Sequence, residues 1–267
     1  MIESRFSTLN PLGPLALLLS LCVFAWSYHR LRHRGVRERL LYAGGFAVMA
    51  LPSLLFCVYY LHILQDRAWY FTLRSWPGSE FLLVFAGAAG GAIATFLPRI
   101  MVGFPLFAVV GLGSVPYLKP LLAPLPESDL QDRWEGDACL QTTAATCGPA
   151  CIATILRSFG VHTTEREVAH ACFSYSGGTE AWYLARYVRS RGLHAHFVFG
   201  EGFGASPGAP AVVGVRLGGA GHFIAVLGVH DGEVEYADPL RGRELLPLAK
   251  FEKRYQFTGF HLVITPR

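Results

Sequence analysis

Gln141-Thr-Thr-Ala-Ala-Thr-Cys147-Gly-Pro-Ala-Cys151-Ile-Ala-Thr-Ile-Leu156 is the stretch on which the reading of this chain turns. Gly148 and Pro149 follow the first cysteine and lead into an apolar run. Proline in the first turn of a helix forfeits no hydrogen bond, so the pattern places Cys147 at a helix N-terminus. There the helix dipole and the unpaired amides favour a thiolate, which is what a nucleophile needs. Taken alone, Cys147 fits a buried structural thiol equally well. Gln141, six residues upstream, is placed to reach back over the helix start and donate its side-chain amide to a developing oxyanion. Cys151, one turn on, is expected to face the core.

A thiol nucleophile needs an imidazole to take its proton and a carboxylate or amide to orient that ring. Both are offered downstream. Gly221-His222-Phe-Ile-Ala-Val-Leu-Gly-Val229 reads as a strand opening with histidine; a turn at His230-Asp231-Gly232 leads to Glu233-Val-Glu-Tyr-Ala-Asp238-Pro239. With a three-residue loop, residue 224 lies opposite 238 and Asp238 shares a face with His222. A two-residue loop puts them on opposite faces.

Around these segments the pattern predicts helices near Cys147, over Thr164–Cys172 and over Thr179–Ser190, with a Thr164/Glu167 capping box. Strands are expected at 194–199, 211–217, 222–229, 233–237 and 261–265. Helices first and antiparallel strands afterwards indicate an α+β domain. Together, Gln141, Cys147-Gly148-Pro149, Gly221-His222-Phe223 and Asp238-Pro239 resemble the bacteriocin-processing family of papain-like cysteine peptidases, which cut leader peptides after a double glycine. The resemblance covers about Asp137 to Thr265 and includes Gly178-Thr179, similar to the family's start of its third helix. It implies catalytic roles for Cys147, His222, Asp238 and Gln141. Thr146 departs from the family, which commonly has Asp before the nucleophile. Many members are also fused to an ABC transporter with the peptidase in the cytoplasm, and this chain has no phosphate-binding loop.

The other half of the chain has a different character. The 267 residues are 52% hydrophobic and 16% charged, with a mean hydropathy of +0.36, which argues against a single soluble domain and against disorder. Four stretches, 11–28, 40–64, 81–98 and 100–118, contain no Asp, Glu, Lys or Arg and read as transmembrane helices. His62 is the one ionisable residue inside them, which disfavours a transporter or an intramembrane protease. The expected division is therefore a four-helix transmembrane domain over 1–118, a Pro-rich, acidic linker over 119–136, and a papain-like α+β peptidase domain over 137–267.

Basic residues follow the first stretch at once, unlike a cleaved signal peptide. The loop 29–39 holds five Arg against one Glu, so it is expected on the cytoplasmic side. Four spans then place both termini, and the peptidase domain, outside the inner membrane of a bacterium. Trp26, Tyr28, Tyr59, Tyr60, Trp69, Tyr70 and Trp76 are expected at membrane interfaces. Gly87 and Gly91, among other small residues, allow close helix approach, either to the chain's own spans or to a membrane-protein partner.

The net charge of +4 does not point to nucleic acid, because much of the excess sits in that one loop. His194 and His196 share a strand face, but no carboxylate or cysteine signature accompanies them, so neither metal nor cofactor is expected. Cys139 and Cys172 are candidates for a disulfide if the domain is extracytoplasmic, and Cys151 is left open. The expected function is a membrane-anchored cysteine endopeptidase acting on a peptide segment of an exported or membrane-associated protein. The competing expectation is a catalytically silent module that binds peptide or scaffolds a membrane complex.

Overall fold

Each of the charge-free stretches contains a helix. The computed structural model describes residues 8–60, 63–64, 66–204 and 210–267, apart from the side chains of Cys57 and Tyr60; His62 lies outside the described residues. Helices α1 (Leu12–Leu31) and α2 (Val36–Tyr60) are followed by a short α3 (Ala68–Arg74). A 3-10 turn, Ser79–Leu83, runs into α4 (Val84–Ala94), and α5 spans Gly103–Leu122. Three of these helices are long and apolar enough to cross a membrane, or four if the broken pair Ala68–Arg74 and Ser79–Ala94 counts as one span. The stretch expected as a third span over 81–98 is thus shorter than anticipated, because its helix ends at Ala94.

Two compact units emerge, one gathering Leu9–Gln65 with Pro77–Lys119 and the other Asp66–Trp76 with Pro120–Arg267. In the first, eight of the eleven residues of α4 are Gly or Ala, and all eight are buried. A Cβ at Gly87 would collide with the Ser20 carbonyl, and one at Gly91 with Ser27 and the Phe24 carbonyl. The Gly87/Gly91 face is therefore filled by α1 of this chain. The expectation of a membrane-protein partner on that face is corrected: small side chains here let two of the chain's own backbones meet. Phe24, Ala94 and Val109 form the adjoining core.

The second unit is an α+β domain, helices first and an antiparallel sheet afterwards. A two-stranded ribbon, β1 (Arg133–Glu135) and β2 (Ala138–Leu140), precedes helices α6 (Cys147–Ser158), α7 (Glu165–Ala171) and α8 (Ala181–Ser190). Then come β3 (His194–Phe199), β4 (Ala211–Leu217), β5 (Ala220–His230), β6 (Glu233–Asp238), β7 (Gly242–Pro247), α9 (Leu248–Arg254) and β8 (Gln256–Thr265). The last six strands form one antiparallel sheet in the order β3-β8-β4-β5-β6-β7. Thr164 caps α7 by accepting the Glu167 amide at 3.1 Å, as the sequence predicts.

Helix α6 lies across β5, and every residue from Gly148 to Leu156 is buried. Gly148 is required for that fit, since a Cβ there would stand 2.9 Å from Leu184 Cδ1 of α8. Of residues 119–136, expected as a spacer, those from Pro120 on belong to the domain itself: Leu125 and Leu130 are buried with Ala145 and Ala169.

Helix α3 also belongs to this unit. Its Phe71 ring contacts Trp182, Phe197, Phe199 and Phe260 at centroid separations of 5.2–5.9 Å. Arg74 is buried, 4.4 Å from the Trp182 ring. Arg186 and Arg189 donate to the Arg74 and Ser75 carbonyls. Tyr70, expected at a membrane interface, is instead fully buried edge-on against Trp182, because a face of the sheet and α8 offers it an aromatic pocket. Trp26, Trp69 and Trp76 are exposed.

Candidate active site

The site is assembled from one helix start and one hairpin. Cys147 is the first residue of α6, with Thr146 as its N-cap and the Ala150 amide donating to the Thr146 carbonyl at 3.0 Å. The first amides of a helix have no intrahelical acceptor, so they point toward whatever sits at its mouth. The thiol is partly exposed. The loop leading to it is braced from α7: buried Glu165 accepts the Thr142 amide and hydroxyl, both at 2.7 Å.

The β5–β6 hairpin settles the register in a way that neither simple loop anticipates. His230 pairs directly with Glu233, so the loop is the two residues Asp231-Gly232, both at positive φ (52° and 80°). That is the turn Asp-Gly prefers. By itself it would separate His222 from Asp238. A bulge between Val226 and Gly228 shifts the pairing to Val226↔Tyr236 and Ala225↔Ala237. One further step sets Ile224 opposite Asp238, and the face that carries His222 carries Asp238 as well.

His222 Nε2 and Asp238 Oδ1 are 2.9 Å apart. The aspartate is fully buried and the histidine 8% exposed. With Nε2 held by the carboxylate, the other ring nitrogen is left for Cys147, whose thiol is near enough to act on the charge of the imidazole. Burial opposes the charged ring, yet the hydrogen bonds to Asp238 and Cys147 outweigh it and carry His222 up to about 9. Burial likewise works against the Asp238 carboxylate, and its bonds from His222, the Leu240 amide and Tyr255 hold it below its usual value.

Gln141 is tied to the same hairpin, its backbone amide donating to the Pro239 carbonyl at 3.0 Å. Its side-chain Nε2 donates to the Thr143 carbonyl at 2.8 Å. A primary amide has a second N–H, so one donor of Gln141 is committed to the loop and one is not. The structure therefore brings Cys147, His222, Asp238 and Gln141 to one place.

Tyr255, whose hydroxyl donates to Asp238 Oδ2 at 2.9 Å, was not legible in the sequence. It stands 17 residues beyond Asp238 with no motif around it. The other cysteines of this unit take no part. Cys139, Cys151 and Cys172 are buried and free, so the disulfide considered for Cys139 and Cys172 is not formed. Burial pushes the Cys139 thiol up to about 12 and raises Cys151 and Cys172 as well. His194 and His196 lie on the exposed face of β3.

Residues 137–267 match the family model described as the Peptidase C39 family. An uncharacterized protein of Methanothermobacter marburgensis is 36% identical over 124 residues, covering 46% of this chain and 84% of that protein. One from Methanothermobacter thermautotrophicus is 32% identical over 125 residues, covering 47% and 85%. Among solved structures, a double glycine motif protease from an AMS/PCAT transporter, in complex with its leader peptide, is 24% identical. It covers 48% of this chain and 89% of its own, with a TM-score of 0.42. The peptidase domain of Streptococcus ComA, a bifunctional ABC transporter of a quorum-sensing pathway, is 17% identical, with 48% and 96% covered and a TM-score of 0.41. Through the domain that carries the helix-start cysteine and the bulged hairpin, this chain belongs to the peptidase C39 family.

Proposed function

We propose that the chain is a membrane-anchored cysteine endopeptidase. The observation that carries the reading is His222 held on Asp238 at 2.9 Å beside Cys147 at the start of α6. In this mechanism His222 takes the Cys147 proton before attack, and the resulting Sγ thiolate attacks a peptide carbonyl. The oxyanion is met by the Cys147 backbone amide and the uncommitted N–H of Gln141. His222 then protonates the leaving amine, giving an acyl-enzyme; water, deprotonated by His222, releases the acid and restores the thiol. Asp238 keeps the ring oriented throughout.

The substrate is an extended peptide segment of an exported or membrane-associated protein, and the peptidase domain faces outward. Two features support that side. The arginine-rich loop after α1 favours the cytoplasm. Asp66–Trp76, between the second and third apolar segments, shares a compact unit with the C-terminal domain, so an even number of crossings separates them. With α5 as one crossing, Ser79–Ala94 supplies the other. Its 3-10 turn and helix reach about 26 Å, slightly under the ~30 Å hydrocarbon thickness, a mismatch that local thinning accommodates.

The test compares exported and membrane proteins from wild-type cells and from cells carrying Cys147→Ala. Expected is a protein that persists in a longer form only in the variant. If Cys147 is alkylated readily in native membranes yet no protein differs between the strains, a peptide-binding module without catalysis is the better account.

A further inference from the structure

Asp238 is held by three donors, and they divide unequally between its oxygens. Oδ1 takes both the His222 ring at 2.9 Å and the Leu240 amide at 3.0 Å. Oδ2 takes the Tyr255 hydroxyl at 2.9 Å. The terminal torsion of an aspartate is soft, so contacts at Oδ1 alone leave the carboxylate plane free to rotate about that oxygen. A donor on Oδ2 fixes the plane, and with it the direction along which Oδ1 meets Nε2–H.

The phenol is itself immobilised. Tyr255 is 6% exposed and sits at the junction of α9 and β8, in extended backbone. Its ring packs against Tyr236, Phe251 and Phe257 at centroid separations of 5.6–6.3 Å. Arg254 lies 5.8 Å from its centroid and pairs with Glu244, which also accepts the Tyr236 hydroxyl at 3.0 Å. Burial, with the Asp238 charge behind it, pushes the Tyr255 phenol up, so it remains a donor.

We infer that Tyr255 is a positioning residue of the Cys147–His222–Asp238 site, fixing the Asp238 carboxylate so that His222 is aligned on the thiol. The inference rests on the triad reading above. It concerns a residue just before β8 that reaches the site through Asp238. The titratable groups that act on Asp238 are His222 on β5, Tyr255 before β8 and Cys151 on α6, with Tyr236 behind Tyr255 and Cys147 beside His222.

The test needs no knowledge of the substrate. The purified full-length protein in detergent is alkylated at Cys147 with iodoacetamide across pH 4–10, and the rate profile reports the pairing of thiol and imidazole. Wild type is compared with Tyr255→Phe, Asp238→Ala, His222→Ala and the Asp238→Ala/Tyr255→Phe double variant, with thermal unfolding recorded for each. Tyr255→Phe is expected to slow alkylation at pH 6 by about tenfold, the worth of one hydrogen bond to a charged group. Its profile should move in the same direction as that of Asp238→Ala, and the double variant should match Asp238→Ala alone.

A Tyr255→Phe protein that is less stable but keeps the wild-type profile overturns the inference, as does an effect that persists undiminished in the Asp238→Ala background. If His222→Ala and Asp238→Ala themselves leave the profile of Cys147 unchanged, the triad reading fails and this inference falls with it.

Discussion

The thiol, the imidazole and the carboxylate each depend on a neighbour that the others supply, and the consequences appear as pH dependence. His222 has an ordinary value near 6.5 and is carried to about 9 by its bonds to Asp238 and Cys147 against the cost of burial. A basic group raised in the folded state stabilises that state fully below its unfolded value and ceases to do so as pH climbs through its folded value. The melting temperature of the wild type should therefore fall between pH 6.5 and 9, and His222→Ala should lack that component of the slope. The proton that the leaving amine requires is held on His222 over the same range, so kcat/KM should lose its alkaline limb near pH 9. A limb near pH 6.5 would mean that the imidazole is unpaired in the working enzyme. At this scale the sequence was informative about residue types, since a Cys-Gly-Pro helix start and a Gly-His-Phe strand are local patterns. Tyr255 acts only through a contact made 17 residues away from its partner, and local pattern carries no record of that.

At the scale of elements, the hairpin shows where legibility stopped. Asp231-Gly232 was visible as a turn, and both register alternatives were visible with it. What decides between them is Leu227, the residue left over between the Val226↔Tyr236 and Gly228↔Glu235 pairs. A bulge restores one residue of register, and an apolar strand sequence gives no sign of where it will fall. Deleting Leu227 is expected to turn His222 and Asp238 to opposite faces and abolish turnover; iodoacetamide labelling of Cys147 should then follow the profile of an isolated thiol. Retention of the wild-type profile would show that the register is set elsewhere. Strand boundaries at 194–199 and 211–217 were readable because β-branched and aromatic residues cluster there between turn signals. Strand β7 and helix α9 escaped, since Gly242–Pro247 carries more polar than apolar contrast and Leu248–Arg254 is only seven residues long. The α7 cap makes a smaller claim: Thr164→Ala should cost about 1 kcal/mol, measured by denaturant unfolding, with the Cys147 profile unaltered.

For the whole molecule, what was legible was that two kinds of sequence meet in one chain. What was not legible is that the division does not follow chain order. Asp66–Trp76 sits between apolar segments, yet it belongs with the C-terminal domain because Phe71 and Tyr70 complete an aromatic cluster whose other members come from α8, β3 and β8. No periodicity within seven residues reveals a partner more than a hundred residues away. Phe71→Ala would leave a cavity among Trp182, Phe197, Phe199 and Phe260, and a buried phenylalanine lost in this way costs about 3 kcal/mol or more.

The same cluster makes a prediction about the membrane. Because Asp66–Trp76 and Cys147 share one folded unit, they must report the same side to an impermeant reagent. In intact spheroplasts, a membrane-impermeant maleimide should label Cys147 in the wild type. It should label an Arg67→Cys substitution in a Cys147→Ala background, and leave an Arg34→Cys substitution unlabelled until the membrane is opened. Labelling of Arg34→Cys but not Arg67→Cys would invert the orientation and place the peptidase in the cytoplasm. If Arg67→Cys and Cys147 were labelled from opposite sides, Ser79–Ala94 would not cross. The even number of crossings that the shared aromatic cluster demands would then be lost.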